Sequence, residues 1–175
     1  STCEMTETLC NIALRRISGK DYSLWYSPFD GVDISLSSDG CLEIFAPKVN
    51  PEKLLTNDIA MLRTLPDGSV QFRILGRKDN VIDSGGIKIQ AEEVERLLRP
   101  HLSCGFIITK MADARLGEAV TLLIESNDVD SALSICRNVL PKHWVPRYVK
   151  SVDHIPLTAT GKPARAEAEA LVKNH

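Results

Sequence analysis

The stretch of sequence that decides the fold lies near the middle of the chain. It is Ile74-Leu75-Gly76-Arg77-Lys78-Asp79-Asn80-Val81-Ile82-Asp83-Ser84-Gly85-Gly86-Ile87-Lys88-Ile89-Gln90-Ala91-Glu92-Glu93-Val94-Glu95. Upstream of it, short apolar runs are separated by turn residues, whereas downstream of it helical and strand patterns alternate. This change of pattern predicts two parts, residues 1–76 and 77–175, with the boundary near Arg77 to Asp79.

Two Asp-Gly pairs predict β-hairpins in the first part, because Asp-Gly between alternating runs favours the tight turn that joins antiparallel strands. We therefore expect the first part to be a piece of a small antiparallel barrel or sheet. The pairs and the runs that they separate are Asp39-Gly40 between 33–36 and 41–45, and Asp67-Gly68 between 59–62 and 69–75.

The second part predicts an α+β domain. A helix is expected from Ala91, since Val94, Leu97 and Leu98 fall on one face and Pro100 marks its end. The remaining predicted elements are buried strands at 106–109 and 119–124 joined by a turn at 114–117, a helix capped by Asp130 or Ser131 and stopped by Pro141, a short strand at 148–152, and a last helix over 164–172 that follows Pro163.

Composition excludes several classes of protein. The 175 residues carry a formal net charge of −2 and only 5% aromatic residues, which argues against a nucleic-acid partner. No apolar run reaches the roughly 20 residues of a membrane span, and the first residues lack the pattern of a signal peptide. The five cysteines are an odd number without a Cys-x-x-Cys pair, which predicts reduced thiols in a cytoplasm. The four histidines do not cluster, so no zinc site is predicted.

A second motif lies near the C-terminus: Pro156-Leu157-Thr158-Ala159-Thr160-Gly161-Lys162. It is not a Walker phosphate loop, because Pro156 and Pro163 occupy positions where that loop needs glycine and Ser or Thr. Together with the stretch from Ile74 to Glu95, it resembles the hinge and catalytic-lysine segments of the ANL superfamily of adenylate-forming enzymes. The version Ser-Gly-Gly-x-x-Ile-Gln-x-Glu-Glu-Val-Glu is most similar to that of the o-succinylbenzoate–CoA ligases of menaquinone synthesis.

The resemblance implies a role for Lys162 and for two residues near the boundary. Lys162 would bridge the substrate carboxylate and the ATP α-phosphate, where a cation stabilises developing negative charge. Arg77 would contact the ribose of the nucleotide, and Asp79 would be the hinge about which the C-terminal domain rotates between two half-reactions. Without the resemblance, these residues predict only a solvated lysine and a surface salt bridge.

The resemblance also assigns roles in ligand binding. Asp58, in Thr56-Asn57-Asp58, would accept hydrogen bonds from the ribose hydroxyls, although Asn57 replaces the family's glycine and the three residues alone predict a loop. Ser84, Gly85 and Gly86 would line the tunnel for the pantetheine of coenzyme A, whereas by themselves they predict a tight turn. Thr6 would bind phosphate and Glu7 would hold Mg²⁺. Cys3-Glu4 stand where the family has an aromatic residue and glycine.

These correspondences imply an acid–thiol ligase that uses ATP, Mg²⁺ and coenzyme A. In this view residues 1–76 are the end of a large adenylation domain, and residues 77–175 are its mobile lid domain. The family's loop for the ATP β- and γ-phosphates does not occur in this sequence, so we expect an N-terminal portion to complete the enzyme and the chain alone to be inactive. Alternatives are another acyl-CoA synthetase or adenylation domain, and a stand-alone, non-catalytic module that binds a nucleotide or coenzyme A.

Overall fold

The fold was analysed in a computed structural model that describes residues 2–5, 10–16, 20 and 22–173. For residues 2–5, 10 and 11 the description is limited to the backbone. Contacts within the chain divide it into two compact units, Ser1–Asp79 and Asn80–His175. Each unit is built around antiparallel strands, and helices occur in the second, which confirms the predicted α+β class.

The described strands of the first unit form two antiparallel sheets. In the four-stranded sheet every strand pairs with its neighbour in sequence, and the two predicted hairpins are confirmed. Gly40 and Gly68, which follow the turn aspartates, have φ values of +80° and +82°, a conformation that favours glycine. The strands are β1 (Thr2–Met5), β2 (Cys10–Leu14) and β3 (Ser27–Pro28) in one sheet, and β4 (Asp33–Leu36), β5 (Cys41–Ala46), β6 (Asn50–Thr64) and β7 (Val70–Arg77) in the other.

Apolar residues from both sheets form the core of the first unit. Ile12, Leu42, Ile44 and Phe72 are completely buried, and Phe72 stacks on Tyr26 with ring centroids 5.3 Å apart. One prediction is wrong here: Thr56, Asn57 and Asp58 do not form a loop but lie within β6, which is 15 residues long. The strand continues through these polar residues, with β5 pairing at Leu55 before them and at Ile59 after them across a register shift, and with β7 pairing from Asp58 onward.

The second unit contains one mixed sheet of five strands and three helices. β11 is central: it pairs antiparallel with β10, and along its other edge with β8 at Gly117 and with β12 from Thr121 to Ile124. The β11–β12 pairing is parallel, which requires the crossover that α2 provides. The elements are β8 (Val81–Ser84), β9 (Ile87–Gln90), α1 (Ala91–Leu98), β10 (Phe106–Asp113), β11 (Gly117–Ile124), α2 (Val129–Val139), β12 (Tyr148–Ser151) and α3 (Arg165–Lys173).

Both faces of this sheet are covered. Ile108 and Leu122 face the cluster that contains α1 and α2, whereas Ile107 and Leu123 face the cluster that contains α3. All residues from 119 to 124 are therefore buried, as the continuous apolar run predicted. None of the helices in the described part of the chain is long and apolar enough to cross a membrane.

Two details of the second unit differ from prediction. The helix α2 begins two residues earlier than expected, because Asp128, not Asp130 or Ser131, is its N-cap and accepts a hydrogen bond from the Ser131 N–H. Cys104 and Cys136 both lie in apolar runs, which predict burial for a small residue; Cys136 is buried, but Cys104, which precedes β10, is half-exposed.

Candidate functional site

The first group of candidate residues lies at one end of the β6–β7 pair. Asp58 and Arg77 are direct cross-strand partners in this ladder. The Arg77 guanidinium lies 3.7 Å from an Asp58 carboxylate oxygen, beyond ordinary hydrogen-bond length, so the two groups form a loose ion pair. The Asp58 side chain is 20% exposed, and its backbone N–H is held by the hydroxyl of the buried Thr56 at 3.2 Å. A carboxylate so placed can accept two hydrogen bonds from a vicinal diol.

Asp79 is tied to the same end of the β6–β7 pair. Its carboxylate accepts a hydrogen bond of 2.6 Å from the Asn57 side-chain amide. Asn57 therefore supplies a donor that the glycine expected at this position would lack. The structure thus brings together Asp58, Arg77 and Asp79, three residues that are up to 21 positions apart in the sequence.

A further ion pair anchors the segment that leads out of β7. The Lys78 ammonium lies 2.8 Å from an Asp39 carboxylate oxygen, and this hydrogen bond raises the pKa of Lys78. Arg77, Lys78 and Asp79 are therefore each held by a side chain from a different position of the first unit. These contacts lie at or near the surface, where an ion pair contributes little to stability.

The paired glycines form the turn of the β8–β9 hairpin. Gly85 and Gly86 have φ values of +62° and +82°, which confirms the tight turn that these residues predict by themselves. The Gly85 N–H donates to the Leu116 carbonyl at 2.8 Å, and the Gly86 N–H donates to the Asp83 side chain at 3.1 Å. A Cβ atom on Gly85 would lie 3.1 Å from the Leu116 side chain, so this position favours glycine for space as well as for conformation. Ser84 pairs with Gly117 of β11.

Lys162 lies on an exposed hairpin, residues 156–164, which we call the Lys162 hairpin. Leu157 and Pro163 form a β-bridge, and the Thr158 N–H donates to the Lys162 carbonyl at 2.7 Å. Gly161 donates to the Thr158 carbonyl and has a φ of +74°, the arrangement of a three-residue hairpin with glycine in the left-handed conformation. The Thr158 hydroxyl also accepts a hydrogen bond from the Lys162 N–H at 3.1 Å. These bonds fix the backbone of Lys162 and leave its side chain exposed.

The candidate residues fall in three places. Asp58, Arg77 and Asp79 are together in the first unit, whereas the Ser84-Gly85-Gly86 turn and Lys162 belong to separate hairpins of the second unit. Thr6 and Glu7, predicted for phosphate and Mg²⁺, lie outside the described residues.

Sequence reasoning missed a buried charge pair in the second unit. Glu95 lies in the first turns of α1, yet it is 6% exposed and pairs with Arg165, the first residue of α3. A signal was present: Ala91, Val94, Glu95 and Leu98 have the spacing of one helical face, and all four are buried.

The homologues and structural neighbours of this chain are adenylate-forming enzymes of the ANL superfamily, among them acyl-CoA synthetases and the adenylation domains of peptide synthetases. The chain is 34% identical over 107 residues to 3-oxocholest-4-en-26-oate–CoA ligase of Rhodococcus rhodochrous, which is 58% of this chain and 19% of that protein. It is 34% identical over 121 residues to gramicidin S synthase 2 of Brevibacillus brevis, which is 66% of this chain and 3% of that protein.

Two solved structures share the fold. E. coli MenE with a bound analogue of OSB-AMS has a TM-score of 0.71 at 20% identity, and the match covers 99% of this chain and 40% of that one. ATP-bound MatB from Rhodopseudomonas palustris has a TM-score of 0.75 at 18% identity, with 98% and 40% covered. No protein-family model matches the chain. The chain spans between 4% and 20% of the length of the first curated relatives that it matches.

Proposed function

We propose that this chain forms the C-terminal part of an acid–thiol ligase that activates a carboxylate with ATP and transfers the acyl group to coenzyme A. The observation that carries the proposal is the convergence of Asp58, Arg77 and Asp79 at one end of the β6–β7 pair. Acyl-CoA ligases among the relatives and an ATP-bound structural neighbour support the use of ATP and coenzyme A. The proposed acid is o-succinylbenzoate, which would place the enzyme in menaquinone synthesis and in the cytoplasm.

In the first half-reaction the carboxylate attacks the α-phosphorus of ATP, and pyrophosphate leaves with the bonding electrons of the broken P–O bond. Asp58 would hold the ribose hydroxyls and Arg77 would contact the ribose. Lys162 would bridge the attacking carboxylate and the α-phosphate, where its positive charge stabilises the charge that develops in the transition state. The Lys162 hairpin suits this role because its backbone is fixed while the ammonium group is exposed.

In the second half-reaction the thiol of coenzyme A attacks the acyl carbon, and AMP leaves. Asp79 would be the hinge that allows the second unit to rotate between the two steps, and its segment is held by surface contacts that cost little to break. The Ser84-Gly85-Gly86 turn would approach the pantetheine chain, which glycine permits because it has no side chain.

Asp58 fits the ribose of ATP. Its side chain is 20% exposed, so the carboxylate is accessible to a ligand while partly shielded from solvent, which suits hydrogen bonds from a diol. The proposed Mg²⁺ ligand is Glu7, a carboxylate of the kind that Mg²⁺ prefers, with Thr6 for phosphate. Both lie outside the described residues, so the proposal for them rests on the sequence pattern.

ATP–pyrophosphate exchange tests the proposal, with o-succinylbenzoate and a panel of other carboxylates and amino acids as substrates. The assay uses the longest natural protein that contains this segment. Exchange with o-succinylbenzoate supports both the reaction and the acid. Exchange with another carboxylate keeps the reaction and replaces the acid, whereas exchange with an amino acid favours a peptide-synthetase adenylation domain. No exchange with any substrate favours the non-catalytic binding module.

Substitutions assign the roles. Lys162→Ala is expected to abolish adenylation and to spare thioester formation from pre-made acyl-adenylate, while Lys48→Ala, an exposed turn lysine of the first unit, changes neither. Equal loss in both half-reactions would make Lys162 a structural residue. Asp79→Pro is expected to slow the switch between the steps more than Asp79→Ala, because both lose the contact with Asn57 but proline also fixes φ. Equal kinetics of these two variants would remove the hinge assignment.

A further inference from the structure

Each end of the Lys162 hairpin is held by a carboxylate: Glu125, directly after β11, at the start, and Glu95 of α1 at the end. Before the hairpin, the Ile155 N–H donates to the Glu125 carboxylate at 2.7 Å. After it, the Arg165 guanidinium donates to both oxygens of Glu95, at 2.8 Å and 3.0 Å. Arg165 is only three residues beyond Lys162, so this second anchor acts close to the lysine.

The Glu95–Arg165 pair is largely shielded from solvent, with the Arg165 side chain 22% exposed. The Glu95 side chain is 8% exposed and also accepts a hydrogen bond from the Ile108 N–H at 2.9 Å. The Arg165 guanidinium donates to the Ile108 carbonyl at 2.9 Å. One residue of β10 is thus bonded to both partners, and α1, β10 and the start of α3 meet at a single point.

A pair of this kind fixes geometry more than it adds stability. Burying two charges costs about as much free energy as their attraction returns, and apolar residues of the same volume often stabilise a protein as well or better. What an apolar pair cannot supply is the direction of a planar guanidinium with two parallel bonds to one carboxylate. Here that direction determines how the chain leaves the Lys162 hairpin and enters α3.

We infer that Glu95 and Arg165 are positioning residues that hold the Lys162 hairpin in place through the start of α3. The expected effect on catalysis rests on the proposed function. The positioning of the hairpin is a structural property of the second unit and does not depend on that function. Arg165→Lys would keep the charge and lose the planar fork, so it should not hold the hairpin in the same position.

Asp113 provides a matched control. Like Glu95 of α1 it is a buried carboxylate, and it lies on β10 at the end of the strand opposite to Ile108. It accepts hydrogen bonds from the Arg115 N–H at 2.9 Å and the Tyr148 hydroxyl at 3.0 Å, and it pairs with Arg147 at 2.7 Å. Its partners hold the β10–β11 turn and β12, not the Lys162 hairpin. Asp113→Asn therefore removes a comparable buried charge without loosening the lysine.

The first experiment measures amide hydrogen exchange in the 175-residue chain, for Glu95→Gln, Arg165→Lys and Asp113→Asn. The denaturant concentration is chosen for each variant so that all three have the same free energy of global unfolding. We expect the amides of Thr158, Gly161 and Lys162 to exchange at least about tenfold faster in Glu95→Gln and Arg165→Lys than in Asp113→Asn. Equal exchange of the hairpin in all three variants would overturn the inference, and this result does not depend on any enzymatic activity.

The second experiment measures the two half-reactions in the longest natural protein that contains this segment. In Glu95→Gln and Arg165→Lys the adenylation rate should fall by about 10- to 100-fold, because a small displacement of a catalytic group has effects of this size. The KM for ATP and the thioester step from pre-made acyl-adenylate should change by less than about threefold. Equal loss in both half-reactions would show that the pair only supports folding. If the unsubstituted protein adenylates nothing, the proposed function fails while the exchange experiment still decides the positioning.

Discussion

Gly105→Ala should destabilise the second unit through a single side chain. A Cβ atom on Gly105 would overlap Oε2 of Glu125 and lie 2.6 Å from its Cδ. The carboxylate is the far end of a flexible side chain, so it can turn away. In turning away it must give up the 2.7 Å hydrogen bond that it accepts from the Ile155 N–H, directly before the Lys162 hairpin.

The magnitude follows from two opposing terms. Loss of a hydrogen bond to a charged acceptor costs about 1.5–3 kcal/mol. Replacing glycine by alanine returns about 0.4–1 kcal/mol by restricting the unfolded chain. The φ of Gly105 lies outside the left-handed region, so no backbone strain is added. With the middle of each range, the free energy of unfolding is expected to fall by about 1.5 kcal/mol.

The sign of the effect should reverse when Glu125 is removed. In a Glu125→Ala background the clash and the hydrogen bond are both absent, so adding Gly105→Ala should stabilise the unit by about 0.4–1 kcal/mol. Urea unfolding measures both values, with Trp25→Phe in every protein so that Trp144 of the second unit is the remaining tryptophan reporter. Stabilisation by Gly105→Ala in the presence of Glu125, or an equal loss in both backgrounds, would refute the reasoning.

Three further predictions concern the turn, the thiols and the acid stability. Gly161→Ala should lower the stability of the second unit by about 1–2 kcal/mol, because the φ of Gly161 is +74°, although the space around it is open. Gly161→Asn should cost less, because asparagine adopts the left-handed conformation more readily. Equal thermal unfolding of the two variants would contradict this. Burial raises the pKa of Cys136 to about 11, so iodoacetamide at about pH 8 should alkylate the half-exposed Cys104 and spare Cys136, as mass spectrometry can measure. The pKa of Asp113 is lowered, chiefly by the hydrogen bond from the Arg115 N–H, so its stabilisation is complete above the ordinary aspartate value of about 3.9 and is lost as the pH falls through its lower folded pKa. The stability difference between the natural chain and Asp113→Asn should thus stay constant from about pH 5 to 7 and close below about pH 4; a difference that persists in acid would count against it.

The hairpins and buried strands were predictable because their causes are local. Asp39-Gly40 and Asp67-Gly68 specify tight turns by themselves. The mostly apolar run from 119 to 124 lacks the polar alternation of a half-exposed strand, and all six of its residues are buried. The start of α2 was missed by two residues because Asp128, Asp130 and Ser131 are all acceptable caps, and the packing of the helix decides among them.

The contacts among the candidate residues could not be predicted from local patterns. Asp58 faces Arg77 because the β6–β7 register shifts by one residue at Ile59/Ala60, between this pair and the hairpin turn. A bulge of this kind has no reliable sequence signal, yet it decides which side chains are neighbours.

The Glu95–Arg165 pair shows another limit of sequence reasoning. A glutamate in the first turns of a helix is usually explained by its favourable interaction with the helix dipole, which requires no burial. Its burial depends on Arg165, which lies 70 positions away. The burial of a charge therefore depends on a long-range partner that the periodicity of one helix does not reveal.

The pairing of strands in the two units has a consequence for the kinetics of folding. In the sheet of β4 to β7, each strand joins its neighbour through a short connection, so every step closes a small loop. In the second unit, Thr121 must meet Tyr148 across the whole of α2, which requires a larger loss of chain entropy before the contact forms. The four-stranded sheet should therefore assemble early, and the docking of β12 on β11 should be among the late events of folding.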